Sequence, residues 1–238
     1  CQYDSISFLS TSNNVSGIYW EFGDGDSSRL TNPVHQFDSS GNSSVRYTAY
    51  STLNNCPATI IKDVTILKRP KATITANPTD GCDPLHVNLK ADSSYNSWVF
   101  SNGNVSVLNE LTETFTAIGP HWVLLASEYA NGCKDTTSLN LVVHPRPDAQ
   151  FTSSVDSVCV YPVTVDYTNT TLGALGYDWI FGNGNRTTQT NPSETLTAAG
   201  IYNDTLIASN QFGCKDTATS QVKIYEKPTA SGLISPLS

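Results

Sequence analysis

The sequence predicts an all-β protein, a tandem of small antiparallel sandwiches arranged as an elongated rod. Three observations predict it. The 238 residues include 15 Gly, 12 Pro and 11 Tyr, and only 14% are charged. β-Branched and aromatic side chains suit a pleated surface, and Gly, Pro, Asn and Asp punctuate it. One period near 80 residues runs through the chain, and each period holds short alternating segments bounded by turn residues. A hydrophobic content of 38% is enough for packed cores, which argues against disorder.

The period is set by independent markers. Trp20-Glu21-Phe22, Trp98-Val99-Phe100 and Trp179-Ile180-Phe181 lie 78 and 81 residues apart. Each is followed by a turn dipeptide: Asp24-Gly25, Asn102-Gly103 and Asn183-Gly184. Cys56, Cys133 and Cys214 follow the triplets by 35 or 36 residues, and Cys1, Cys82 and Cys159 precede them by 16 to 20. Proline junctions recur at Arg69-Pro70-Lys71-Ala72, Arg146-Pro147-Asp148-Ala149 and Lys227-Pro228-Thr229-Ala230. The expected boundaries are therefore 1–70, 71–147, 148–227, and 228–238 as the first strand of a fourth repeat.

The elements follow in order. Lys71–Ala76 and Asp148–Ser153 read as first strands; the first repeat has no counterpart, because Cys1 already stands where Cys82 and Cys159 stand. Leu85–Leu89 and Val163–Tyr167 alternate as half-buried strands should. The next strand places Trp20 and Phe22, Trp98 and Phe100, and Trp179 and Phe181 on one face, toward the core. Asp-Gly or Asn-Gly then offers the positive φ of a type I′ hairpin turn. Tyr47–Leu53, Trp122–Tyr129 and Asp204–Ser209 are further strands. Thr59–Leu67, Thr136–Val143 and Thr217–Tyr225 close each repeat. About seven strands in about 80 residues make a small antiparallel sandwich. The start at Cys1 reads as a mature or partial product, a window cut from a longer array.

Tyr19-Trp20-Glu21-Phe22-Gly23-Asp24-Gly25, with Asn32-Pro33-Val34-His35-Gln36-Phe37 after it, resembles the signature of PKD (polycystic kidney disease) domains: a W-D-F-G-D-G hairpin, then N-P-x-H-x-Y. The third repeat keeps Trp179, Phe181-Gly182-Asn183-Gly184 and Asn191-Pro192 but loses the His; the second keeps only Trp98, Phe100 and Asn102-Gly103. Gly132-Cys133 and Gly213-Cys214 resemble the PKD arrays of large secreted bacterial proteins. The resemblance implies an immunoglobulin-like fold used as a spacer or adhesion module rather than a catalyst.

The net charge of −8, with 13 scattered basic residues, excludes the clustered cations of a phosphate-binding surface, so no nucleic-acid partner is expected. Apolar runs are far shorter than the ~18 residues of a membrane span. Glu21, Asp24 and Asp26 are a weak Ca²⁺ candidate through hard oxygen ligands. The other repeats hold Val99, Asn102, Asn104 and Ile180, Asn183, Asn185 there, which points to turn chemistry instead. His35, His86, His121 and His144 have no metal-ligand spacing. No nucleophile–base pair and no G-x-S-x-G elbow is present, so no enzyme and no cofactor is expected. Asp4-Ser5-Ile6, Asp204-Thr205-Leu206 and Asp216-Thr217-Ala218 resemble bacterial O-glycosylation sites.

Six cysteines in a chain read as secreted should be oxidised. Repeat symmetry favours Cys1–Cys56, Cys82–Cys133 and Cys159–Cys214. In an immunoglobulin-like sandwich, however, the members of each such pair sit at opposite ends, on the order of 25 Å apart, whereas bridged Cα atoms lie within ~7 Å. Head-to-tail stacking instead favours Cys1–Cys133 and Cys82–Cys214, with Cys56 and Cys159 awaiting other partners. The expected function is a structural or adhesive spacer array in a large secreted or cell-surface protein, such as an extracellular fibre or adhesin. Its partners would be neighbouring repeats, further copies, or surface glycans. The alternative is an accessory substrate-binding or spacer module of a secreted hydrolase.

Overall fold

The computed structural model describes residues 1–92 and 95–232. Among them there is no helix, and 22 strands are formed. The first repeat holds β1 (Ser5–Ser7), β2 (Val15–Glu21), β3 (Ser27–Ser28), β4 (Val34–Gln36), β5 (Gly41–Ser51) and β6 (Pro57–Ile66). The second holds β7 (Ile74–Asn77), β8 (Asp80–Cys82), β9 (Leu85–Ala91), β10 (Tyr95–Phe100), β11 (Val105–Ser106), β12 (Glu110–Phe115), β13 (Gly119–Glu128) and β14 (Lys134–His144). The third holds β15 (Phe151–Ser153), β16 (Ser157–Val158), β17 (Val163–Asn169), β18 (Gly176–Ile180), β19 (Arg186–Thr187), β20 (Ser193–Leu196), β21 (Gly200–Ser209) and β22 (Lys215–Ile224).

One strand order recurs. The larger sheets run β3-β2-β5-β6, β11-β10-β13-β14-β8 and β19-β18-β21-β22-β16; the smaller run β1-β4, β12-β9-β7 and β20-β17-β15. This is the two-sheet, immunoglobulin-like arrangement. In the third repeat the two sheets meet over Val165, Tyr167 and Leu196 from one, and Trp179, Phe181, Leu206, Val222 and Ile224 from the other. In the first repeat the core is Trp20, Phe22, Phe37, Val45, Tyr47, Ala49 and Ile66. In the second, Trp98 and Phe100 are buried. Trp20, Trp98 and Trp179 are thus core residues and form no exposed strip, whereas Trp122 on β13 is exposed.

Two local expectations are corrected. The first strands begin three residues later than the pattern suggests, at Ile74 and Phe151. The residues before them are held by distant side chains: Asp135 accepts the Ala72 amide and Asp216 the Ala149 amide, each at 2.8 Å. The hairpin turn is not type I′, which needs positive φ at both central residues. Only the glycine adopts it (φ 106 at Gly25, 89 at Gly103, 91 at Gly184). The loop is one residue longer: Phe181 N–H reaches the Asn185 carbonyl, and Gly184 N–H reaches the Phe181 carbonyl. In the second and third repeats that is a type I turn followed by a left-handed glycine; in the first, Gly23 is also at positive φ (83), so its turn differs.

By its contacts the chain divides into two compact units. One comprises Cys1–Asn77, Asn88–Glu113 and Trp122–Asn140; the other comprises Pro78–Val87, Thr114–His121 and Leu141–Ser238. The first contains both residues of the Cys1–Cys133 bridge, and the second both residues of the Cys82–Cys214 bridge. Of the stretch 228–238, residues 233–238 lie outside the described residues.

Candidate functional site

Two sets of residues carry the chemistry of this chain: the clasps at the junctions and the polar clusters on the hairpin turns. Each clasp starts from a tight turn ending in Gly-Cys-Lys-Asp. Gly132 and Gly213 adopt φ near +79 and +78, which lets the chain turn into the last strand with the cysteine facing inward. Cys133 bonds to Cys1 and Cys214 to Cys82, each across 132 residues of sequence, with Cα atoms 5.7 and 5.5 Å apart. The pairings within repeats, Cys1–Cys56, Cys82–Cys133 and Cys159–Cys214, are not formed, because each would join residues at opposite ends of one sandwich. Cys56 and Cys159 are free and exposed.

Hydrogen bonds repeat around each bridge. Asn131 donates to the Lys68 carbonyl and accepts the Cys133 amide; Asn210 donates to the Pro145 carbonyl and accepts the Cys214 amide. Two residues beyond the cysteine, Asp135 and Asp216 cap the entering alanines. The junction arginines differ. Arg69 pairs with Asp4, whereas Arg146 donates to the Asp83 and Lys215 carbonyls. His144 stacks on Phe212 with ring centres 4.0 Å apart. Sequence reasoning found the cysteines but missed the asparagines and aspartates. The doubled Gly-Cys-Lys-Asp, against Asn55-Cys56-Pro57-Ala58 in the first repeat, was the available signal.

The hairpin cluster uses three residues at one spacing. In the second repeat the Asn102 and Asn104 side-chain amides both donate to Glu113; in the third, Asn183 and Asn185 both donate to Glu194. In the first repeat the equivalent residues are Asp24, Asp26 and His35, and their ligand-type atoms lie within 4.8 Å of one another. His35 Nε2–H donates to Asp24 Oδ2 at 2.7 Å, and the Asp26 amide donates to Asp24 Oδ1. The polarity is inverted: two amide donors around a carboxylate become two carboxylates around an imidazole donor. Burial acts to raise the Asp24 pKa, but the hydrogen bonds from His35 and from the Asp26 amide outweigh it and hold the carboxyl below its ordinary value. Glu21 is not part of this cluster; it faces Arg46 at 3.7 Å. His35 also stacks on Phe22, with centres 4.0 Å apart.

The remaining candidate residues have structural partners. His86 meets the Thr114 hydroxyl, and His121 reaches the Ala117 carbonyl. Asp4 pairs with Arg69 and Asp216 caps Ala149, so two of the three glycosylation-like triplets place their aspartate in a clasp. The third places Asp204 in the core, fully buried, accepting from the Tyr167 hydroxyl at 2.7 Å and from the Gly182 amide at 2.9 Å. Burial, followed by that hydrogen bond, pushes the Tyr167 pKa well above the ordinary phenol value.

The strands of the third repeat, β15 to β22, lie within residues 142–224, which match a family model described as PKD domain. The PKD1 domain from Vibrio cholerae metalloprotease PrtV is 30% identical, covering 33% of this chain and 96% of that domain, with a TM-score of 0.30. The chain belongs to the PKD-domain family. The PKD1 domain of Vibrio anguillarum Epp is 26% identical, over 34% of this chain and 96% of its own, with a TM-score of 0.30. A structure titled for host cell surface retention of a 1.5-MDa bacterial ice-binding adhesin is 12% identical, over 94% of this chain and 90% of its own, with a TM-score of 0.37. No curated protein sequence matches this PKD chain.

Proposed function

We propose that this chain is a structural or adhesive spacer of a secreted or cell-surface protein, without catalytic activity and without a required cofactor. The observation that carries this reading is the pair of clasps. Each disulfide ties the opening residues of one repeat to the closing hairpin of the next, and each is reinforced by an aspartate cap and an asparagine bridge. Disulfides of this kind persist outside the reducing cytosol, which supports an extracellular location. PKD membership supports the same class of function. The Asp24–Asp26–His35 cluster is read as a turn lock, because both Asp24 oxygens already accept protein donors.

The test is retention. The oxidised chain, carrying a fluorescent label, is incubated with insoluble polysaccharides and with denatured protein. A spacer stays in solution with all of them. Saturable retention on any one would overturn the spacer reading in favour of a substrate-binding module of a hydrolase. Calcium is tested separately: addition of millimolar Ca²⁺ is expected to leave the thermal midpoint unchanged within a degree.

A further inference from the structure

The outer face of the larger sheet differs among the three repeats. In the second repeat Trp98 and Phe100 turn inward, so alternation turns Val99 outward. Val99 stands opposite Val105 on β11 and opposite Leu124 on β13, which makes one apolar row across three strands. Trp122 lies two residues along β13 from Leu124, on the same side, and Val107 follows two residues after Val105. Val105 and Val107 are each 74% exposed, Trp122 46% and Leu124 36%. The residues around them are small and uncharged: Ser97 and Ala126 on the same strands, Ser138 and Asn140 on β14. All belong to one compact unit of the chain.

The register identifies the same places in the other repeats. The first has Ser27, Glu21 and Arg46 in that row and Ser44 in place of Trp122; Glu21 and Arg46 pair across it at 3.7 Å. The third has Arg186, Ile180 and Thr205, with Asn203 in place of Trp122, and Arg186 faces Asp178 at 3.9 Å. Charged side chains keep those two faces in water. The row of the second repeat holds no charge, and a tryptophan stands beside it.

We propose that this face is a self-docking surface: a second copy of the chain lays the same face of its own second repeat against it about a two-fold axis, with Trp122 and Leu124 nearest the axis. A two-fold contact uses one patch on both sides, so a self-complementary apolar face needs no other partner. The chain carries a net charge of −8, and at this face two copies meet without opposing like charges. A foreign protein would be selected by charge complementarity, which an uncharged face does not offer. Tryptophan is the residue type that most often anchors such contacts. From strand and residue spacings the face measures roughly 15–20 Å on a side. That is small for a specific interface, so the association is weak and shows only at high concentration.

The test uses the oxidised chain with Cys56 and Cys159 alkylated, so that no new disulfide can link two copies. Sedimentation equilibrium should show the average mass rising from monomer towards dimer, with half-association below a millimolar. Acrylamide quenching of tryptophan fluorescence should fall as the dimer forms, because Trp122 is exposed while Trp20, Trp98 and Trp179 are buried. Leu124→Arg and Leu124→Glu each change a partly exposed residue, so the thermal transition should be retained while association weakens at least tenfold. Mixing these two variants should restore association that neither shows alone. The counterpart change in the third repeat, Thr205→Arg, should leave association unchanged. The proposal is overturned if the chain stays monomeric up to a millimolar, if both Leu124 variants associate as the unaltered chain does, or if Thr205→Arg weakens association equally.

Discussion

The first and third repeats carry their tryptophans on corresponding strands, β2 and β18, and they differ in how each polar group is answered. Trp179 is fully buried and donates its indole N–H to the Gln189 carbonyl; Trp98 does the same to Leu108. Trp20 is 7% exposed, and its buried indole nitrogen has no partner. The third repeat buries a Tyr167–Asp204 pair where the first has Phe8 and Val45, and it closes with Cys-Lys-Asp where the first has Cys-Pro-Ala. The comparison teaches that the Trp and Phe anchors of the core recur, while polar positions change as matched sets. A lone polar change would leave a buried group unanswered, which costs about 1–3 kcal/mol, whereas a coordinated change need not.

The comparison can be broken most forcefully at the bridges. Replacing Cys82 and Cys214 together by Ser removes a closed loop worth about 5 kcal/mol in the chain-entropy model; thermal unfolding under non-reducing conditions should show the third repeat melting well below wild type. An unchanged midpoint would mean that the asparagine and aspartate clasp suffices alone. Next, Trp179→Ala should cost about 3–5 kcal/mol, as large core deletions do. Trp20→Ala should fall below it, since Trp20 gives up no hydrogen bond. Equal costs, read by denaturant unfolding, would dissolve the distinction between the two cores.

Matched sets predict non-additivity. Tyr167→Phe strands one oxygen of Asp204 and should cost about 1–3 kcal/mol. Adding Asp204→Val, the residue type of the first repeat at that place, should cost less than the two single changes summed in a double-mutant cycle, with a remaining cost because the Gly182 amide then loses its acceptor. The turn cluster should behave likewise: His35→Glu alone puts three carboxylates together, and Asp24→Asn with Asp26→Asn restores the donor set of the third repeat. The smallest effect is with pH. Because the folded Asp24 pKa lies below the unfolded one, its contribution is present above the ordinary aspartate value and disappears as pH falls through the folded value. Acid titration followed at His35 should show this step in the first repeat, and Asp24→Asn should abolish it.

The repeats, the tryptophan cores and the placement of most strands were legible because they rest on local periodicity and turn residues. Asp135 and Asp216 were not, since the amides they cap lie 63 and 67 residues away in sequence. The turn type was misread because an Asn-Gly pair fits both a two-residue and a longer loop, and only ring closure at Asn104 or Asn185 decides. Asp204 belongs by sequence to a glycosylation-like triplet; its buried partner, Tyr167, lies 37 residues earlier. Cysteine pairing was open by symmetry and was narrowed only by considering at which end of the sandwich each residue falls.

The two bridges overlap in sequence, and this decides how tension would travel. Pulled between Cys1 and Ser238 after complete unfolding, the shortest covalent route enters at Cys133 and runs backward to Cys82. It then crosses to Cys214 and leaves through the last strand. That route contains roughly 75 residues, or roughly 260 Å at full extension, against roughly 800 Å for the reduced chain. Residues 2–81 and 134–213 become slack loops, so Trp20 and Trp179 feel no sustained load, while the segment carrying Trp98 is stretched in reverse. A reducing agent would thus act as a length regulator, releasing about two-thirds of the backbone.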